Sequence, residues 1–167
     1  MVTRGAVMNN GFINDLQRIY SLLNYLEEQT IERDYPIIWE KIHATSCAQI
    51  GRILAEKRNI NMEQAALACA IHDMGRWISG RQLDHAPKGE EHARLFLAEW
   101  KGTEESREQI IQAVINHSKK EQIGTPLEEL VKDADILDCY WHGEDIVKVH
   151  HIARLKQQLR GLGIGQL

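Results

Sequence analysis

Three cysteines in 167 residues, none in a Cys-x-x-Cys pair, leave no framework for disulfides and disfavour a structural zinc site. Cys47, Cys69 and Cys139 each sit in an apolar helical context, which predicts buried thiols in a reducing compartment. No apolar run reaches the roughly 18 residues of a membrane span, and no basic-then-apolar leader is present. These absences predict a cytoplasmic protein with no membrane partner. Positive charge is also short, with 20 Lys and Arg against 24 Asp and Glu and a formal net charge of −4. Nucleic-acid binders usually carry a basic field, so no nucleic-acid partner is expected. An anionic substrate stays compatible if a metal ion supplies the positive charge. There are only three prolines, no repeat or low-complexity tract, and no stretch that alternates with the period of a strand.

What is present is helical spacing. The apolar fraction of 43% and charged fraction of 26% suit one domain with a real core. The spacing predicts a first helix over about 10–29 and a second over about 36–58, the latter with Trp39, His43, Cys47, Ile50 and Leu54 on one face. A third opens at Asn61, where Asn61 and Gln64 resemble a capping box. It runs to about Asp73 and is expected to stop at Gly75. A loop follows over 76–86. A fourth helix has Pro87 at its first position and runs to about Trp100, and a fifth runs from Thr103 to about His117. Thr125-Pro126-Leu127-Glu128 opens the sixth. A seventh covers about 144–160, and Gly161, Gly163 and Gly165 mark a loose tail to residue 167. The fold class is all-α, a single-domain irregular bundle of about six to seven helices.

Ionisable side chains fall on the apolar faces of four of these helices. His43 lies on the Trp39, Cys47, Ile50 row. His72 and Asp73 end a segment, Ala65 to Ile71, with no polar face. His117 follows Ile110 and Val114, and Asp135 sits between Val131 and Cys139 at helical spacing. Each alone has an ordinary explanation, a hydrogen-bonded core histidine or a capping aspartate. Three imidazoles and two carboxylates in one bundle core need a shared partner, and a divalent metal is the simplest one. Mixed imidazole and carboxylate donors suit Mn, Fe, Co, Ni or Zn with open coordination positions. Open positions favour hydrolysis by an activated water.

The order of these residues resembles the HD-domain superfamily of metal-dependent phosphohydrolases. "HDMGR" is similar to that family's His-Asp-apolar-Gly-Lys/Arg, and "DADILD" to its Asp-Ala-Asp-x-Leu-Asp. The resemblance spans about residues 37–140 and implies His43, His72, Asp73 and Asp135 as core ligands. "HAPKGEEHA" resembles the segment that follows the His-Asp pair in many members and implies His85; "AVINHS" implies His117. Members with all six ligands hold two metals, so one or two ions are implied, with Mg also compatible. The resemblance implies a phosphohydrolase of a nucleotide or another small phosphorylated metabolite. A di-iron oxygenase of related fold and a non-catalytic ligand-sensing domain are the alternatives. The Glu-Asp pair of the alarmone-hydrolysing members and the Gly-Tyr-Pro signature of the cyclic-di-GMP branch are absent, and the chain is shorter than the dNTP triphosphohydrolases. Substrate identity therefore does not transfer.

In this reading Asp73 is a bridging or polarising carboxylate at the reaction. Arg76 either reaches a phosphate or is a solvated charge at a helix end. Lys88, Lys119 and Lys120 either line an anion entrance or lie on a solvated face. Asp138 orients a ligand from behind. Asp133 faces out, His92 is at the surface or behind the ligands, and His142, His150 and His151 are at the surface. Ile146, Val149, Ile152, Leu155 and Leu159 form either bundle packing or a homodimer contact.

Overall fold

The structure, a computed structural model, describes residues 10–164. Among these residues there are nine helices and no strand. They are α1 (Asn10–Glu27), α2 (Ile37–Arg58), α3 (Met62–Ile71), α4 (Met74–Ser79), α5 (His85–Lys88), α6 (Glu90–Leu97), α7 (Glu104–Asn116), α8 (Pro126–Trp141) and α9 (Val149–Gly161). Seven correspond to the helices expected from spacing. Gly165 and the end of the predicted tail lie outside the described residues.

Helix α3 is the centre of the bundle. Ala65, Ala66, Leu67, Ala68, Cys69, Ala70 and Ile71 are all fully buried. Small side chains let α1, α2, α7 and α8 close on it from several sides. The α2–α3 approach is tightest at Gly51, where a Cβ would lie 2.6 Å from the Cys69 sulfur. The helix starts are fixed locally. Asn61 Oδ1 accepts from the Gln64 backbone N–H at 3.0 Å, Thr103 Oγ1 from Ser106 at 3.1 Å, and Thr125 Oγ1 from Glu128 at 3.4 Å, ahead of Pro126. Each such cap contributes about 1 kcal/mol.

The chain departs from expectation around Gly75. Helix α3 ends at Ile71, His72 and Asp73 form a turn, and α4 begins at Met74, so Gly75 lies inside a helix rather than stopping one. Its missing side chain serves contact: a Cβ there would lie 1.9 Å from the His85 carbonyl oxygen and 2.6 Å from the Gly89 nitrogen. The stretch 76–86 is therefore not simply a loop. Gly80, at φ 71°, ends α4 in the left-handed region that glycine adopts without strain. Pro87 falls within α5, not at the start of a longer helix, and α6 ends at Leu97 rather than Trp100. Residues 143–148 precede α9 without helical structure being established before Val149.

Helix α9 is bound to the bundle by apolar and ionic contacts. Leu155 and Leu159 are buried, whereas Val149 is exposed, so the apolar face is bundle packing over part of its length. Arg154 donates to Asp133 and Glu129, both at 2.8 Å, and Arg58 of α2 donates to Asp133 at 2.7 Å. Asp133 is thus buried, contrary to the expectation that it faces out, because two guanidinium groups compensate its charge. Among the described residues, no helix is long and apolar enough to cross a membrane.

Candidate metal centre

Four histidines from four places in the chain point one ring nitrogen each at Asp73. His43 comes from α2, His72 from the turn after α3, His85 from the start of α5 and His117 from the end of α7. The Asp73 carboxylate divides them into two pairs. Oδ2 lies 3.2 Å from Nε2 of His43 and 3.2 Å from Nε2 of His72. Oδ1 lies 2.9 Å from Nε2 of His85 and 3.3 Å from Nε2 of His117. Asp135 Oδ1 joins the first pair, 3.4 Å from His43 and 3.6 Å from His72. All of these residues except Asp135 are almost fully buried.

The other ring nitrogens settle which atoms carry protons. Nδ1 of His43 contacts Asp138 Oδ2 at 2.6 Å, and Nδ1 of His72 contacts the Cys69 carbonyl at 2.7 Å. Nδ1 of His85 contacts the Gln82 carbonyl at 2.6 Å, and Nδ1 of His117 the Val114 carbonyl at 2.7 Å. These partners only accept, so each Nδ1 carries a hydrogen and each neutral ring presents a bare lone pair at Nε2. The bare nitrogens then face one another, His43 against His72 at 3.2 Å and His85 against His117 at 2.8 Å. Two lone pairs at these distances repel unless a proton or a cation stands between them.

Asp73 Oδ2 has the same difficulty. It is buried and has no hydrogen-bond partner. Arg76 Nη2 lies 2.6 Å away, near enough for charge attraction but not aligned to donate. Such an orphan costs about 1–3 kcal/mol or more for a charged group. Cation-sized needs on both sides of one carboxylate fit a metal-binding donor set. His43, His72 and Asp73 can offer three atoms to one ion, and Asp73, His85 and His117 three to another. Asp135 and Cys139 form a third such group with His43.

Without an ion, protons answer part of the conflict. Burial opposes charging His43, but Asp135, Asp138 and Asp73 together raise its pKa well above the usual value. His72 is raised as well, against burial, chiefly by Asp73. His117 moves the other way: burial pushes it down to about 4, with His72 and Lys120 adding and Asp73 opposing. Asp73 and Asp135 resist burial and stay well below the usual carboxylate range, held by Arg76 and His72 in one case and by Lys120 and His43 in the other.

A cavity of about 220 Å³ opens onto the cluster. Tyr35, Trp39, Gln82, Ser118, Lys148 and His151 are among the residues around it. A larger cleft of about 730 Å³ lies elsewhere, between α1 and the α6–α7 connection, but its lining has no histidine or cysteine. Volume and chemistry thus disagree, and the donor set makes the smaller cavity the candidate site.

The six ligand residues implied by the sequence, His43, His72, Asp73, His85, His117 and Asp135, come together. The predicted substrate-binding cations behave differently. Arg76 is no solvated helix-end charge: it is 6% exposed. Its Nε and Nη2 donate to the two oxygens of Glu40, each at 2.8 Å, and Nη1 donates to Gln82 at 2.9 Å. Lys120 lines the cavity but is paired to Asp135 Oδ2 at 2.5 Å. Lys88 donates to the Leu83 carbonyl at 3.2 Å and is not part of the cavity lining, and Lys119 is bound to Asn116 at 2.8 Å. His92 also lies outside the lining. His151, expected at the surface, borders the cavity, where burial and Lys120 bring its pKa down to about 4.

Sequence reasoning missed Glu40. It is buried, accepts from Arg76 and from Trp77 Nε1 at 3.1 Å, and so fixes the guanidinium beside Asp73. Its place three residues before His43, on the same helical face, was the available signal. Trp39 was assigned to the core face of α2; it stacks on His43 at 5.6 Å between centroids and borders the cavity.

Fold and donor set together define a helical protein with a buried histidine–aspartate centre under a small cavity. The HD-domain family model matches residues 41–140, and the chain belongs to that family. It is also similar to a Bacillus subtilis (strain 168) protein named "Putative phosphohydrolase YueE", at 30% identity over 112 residues. The match covers 58% of this chain and 64% of that relative, so the chain spans less than two thirds of the relative's length. No solved structure matches the chain.

Proposed function

We propose that this protein is a metal-dependent phosphohydrolase acting on a phosphate ester or anhydride of a small, nucleotide-like phosphorylated metabolite. One observation carries the reading: four histidine Nε2 atoms converge on one buried carboxylate, one of whose oxygens accepts no hydrogen bond, beside a small cavity. His43, His72, Asp73 and Asp135 would hold one divalent ion, and Asp73, His85 and His117 a second. Fe, Mn, Co, Ni or Zn suit these donors, with Mg also compatible. A bound ion there supplies Lewis acidity toward phosphate oxygens and lowers the pKa of a water.

The chain's own groups supply the rest. Asp73 spans both halves of the centre, so the two histidine pairs keep a fixed spacing. Asp138 and three backbone carbonyls hold the imidazole rings by Nδ1 and aim Nε2 inward. Asp135 is kept ionised by Lys120 and borders the cavity, which suits it to hold an ion rather than to take up a proton. Lys120 and Lys148 are the lining lysines that offset incoming phosphate charge. Arg76 orients Asp73 and is not a free phosphate clamp, because Glu40 and Gln82 occupy its donors. The partner is a small molecule; a net charge of −4 gives no support to nucleic acid.

The division of the six residues about Asp73 also suits a di-iron oxygenase, the second reading. One experiment separates them: metal analysis of the purified protein, then a phosphatase and phosphodiesterase substrate panel with Mn, Co, Ni and Mg. Metal-dependent phosphate release is expected. Iron-dependent oxygen uptake with no phosphate release from any ester would select the oxygenase instead.

A further inference from the structure

Cys139 has no part in the ligand set above, yet its thiol faces the same centre. It lies one helical turn after Asp135 on α8, and its Sγ donates to Asp135 Oδ1 at 3.6 Å. Ligand atoms of Cys139, Asp135 and His43 lie within 4.8 Å of one another. The residue borders the cavity, whereas Cys47 and Cys69 are fully buried in the core. An independent observation points to a cation beside that group, across their shared His43: Asp73 Oδ2, on a side chain 3% exposed, accepts no hydrogen bond, although Arg76 lies 2.6 Å away, and is directed at the His43–His72 end.

We propose that Cys139 is a thiolate ligand for thiophilic ions at the Asp135 end of the centre. The inference rests on the metal-dependent reading above and adds a sulfur donor to it. Hard ions such as Mg²⁺ leave the thiol on Asp135, whereas a softer ion such as Cd²⁺ or Co²⁺ recruits it. In that step the S–H bond breaks, the proton leaves to solvent through the cavity, and the sulfur lone pair goes to the ion. No oxidant or reductant is needed. The His85–His117 end has no sulfur among its ligand group, so only one end of the centre takes on thiolate character. The site thereby discriminates among ions by donor softness, with Cys139 as the discriminating residue.

The test is titration of the metal-free full chain with Cd²⁺ and, separately, Co²⁺, read by ultraviolet and visible absorption alongside calorimetry. A thiolate-to-metal charge-transfer band is expected to grow and saturate at about one equivalent. It should vanish in Cys139→Ser and Cys139→Ala while histidine-dependent binding persists. A measurement on the unaltered chain guards against misfolded variants: Cd²⁺ should protect Cys139 from alkylation, mapped by mass spectrometry, and Mg²⁺ should not. Ion binding with no band and no protection overturns the sulfur ligand and leaves the hydrolase reading standing. A Cys139-dependent band with no phosphate release from any substrate does the reverse. Absence of any divalent-ion binding removes both.

Discussion

The two halves of the centre share one carboxylate and the same ring chemistry, but they are built from different materials. The His43–His72 half stands on α2, α8 and the end of α3, and α2 packs more extensively on α3 and α8 than any other pair of helices does among the described residues. Acidic groups surround it: Asp135 and Asp138 in addition to Asp73. The His85–His117 half stands on a four-residue helix and the last turn of α7, and backbone carbonyls alone fix its rings. Its only carboxylate neighbour in the ligand group is Asp73. The surroundings push the same side chain in opposite directions, His43 and His72 up, His117 down to about 4. What differs is not the ligand type but the charge around it, and charge decides how firmly a cation is held.

The comparison breaks most completely at its shared element. Asp73→Ala should remove bound metal from both halves and bring phosphate hydrolysis to background, checked by elemental analysis and the substrate panel. Retention of metal and turnover would sink the whole account. Next comes the buried pair beside Asp73. Glu40→Ala leaves Arg76 without its two main hydrogen-bond acceptors, and breaking such a buried pair costs about 3–5 kcal/mol. Urea denaturation should show that loss, and a shift below about 1 kcal/mol would mean that Arg76 finds another partner.

A smaller and one-sided effect is expected from Asp138→Ala. Removing a carboxylate behind a ligating imidazole typically costs about 10–100-fold in metal affinity. Calorimetry should show weakening for the tighter ion while the other is unchanged; equal weakening of both would erase the distinction between the halves. The smallest effect is a matter of slope. In the metal-free protein, His117 has a folded pKa of about 4, below its ordinary value, so stability falls as pH drops from about 6.5 toward 4. His117→Gln should flatten that limb of a stability–pH curve. His43 has a raised folded pKa, so its contribution is complete below about 6.5 and disappears as pH rises through the raised value. His43→Gln should flatten the upper limb and leave the lower one.

Much of this arrangement is legible from residue spacing. A helix of Ala65 to Ile71 with no polar face has to be central, and His72-Asp73 at its end has to be buried. Helical period alone puts His43, His117 and Asp135 on inward faces. His85 is different. It lies between Gly80 and Gly89 in a stretch with no long period, so nothing but family likeness points to it. The short helices α4 and α5 were missed for the same reason, since six and four residues are too few to establish a period. Spacing leaves both Arg76 and Lys120 open between a phosphate contact and a solvated charge, and does not foresee that each is already paired. Their partners, Glu40 and Asp135, are distant in sequence, and such pairing leaves no local trace. Asp133 shows the same limit, its two arginines arriving from α2 and α9.

Gly75 carries a consequence for heredity. A methyl group at this position would collide with the backbone of His85 and of Gly89 beside it, and His85 belongs to one half of the centre only. Glycine and alanine codons differ by one base. A single substitution there strikes directly at His85 and makes no clash with His43, His72 or Asp135. One base change in one codon therefore bears on one half of the centre before the other.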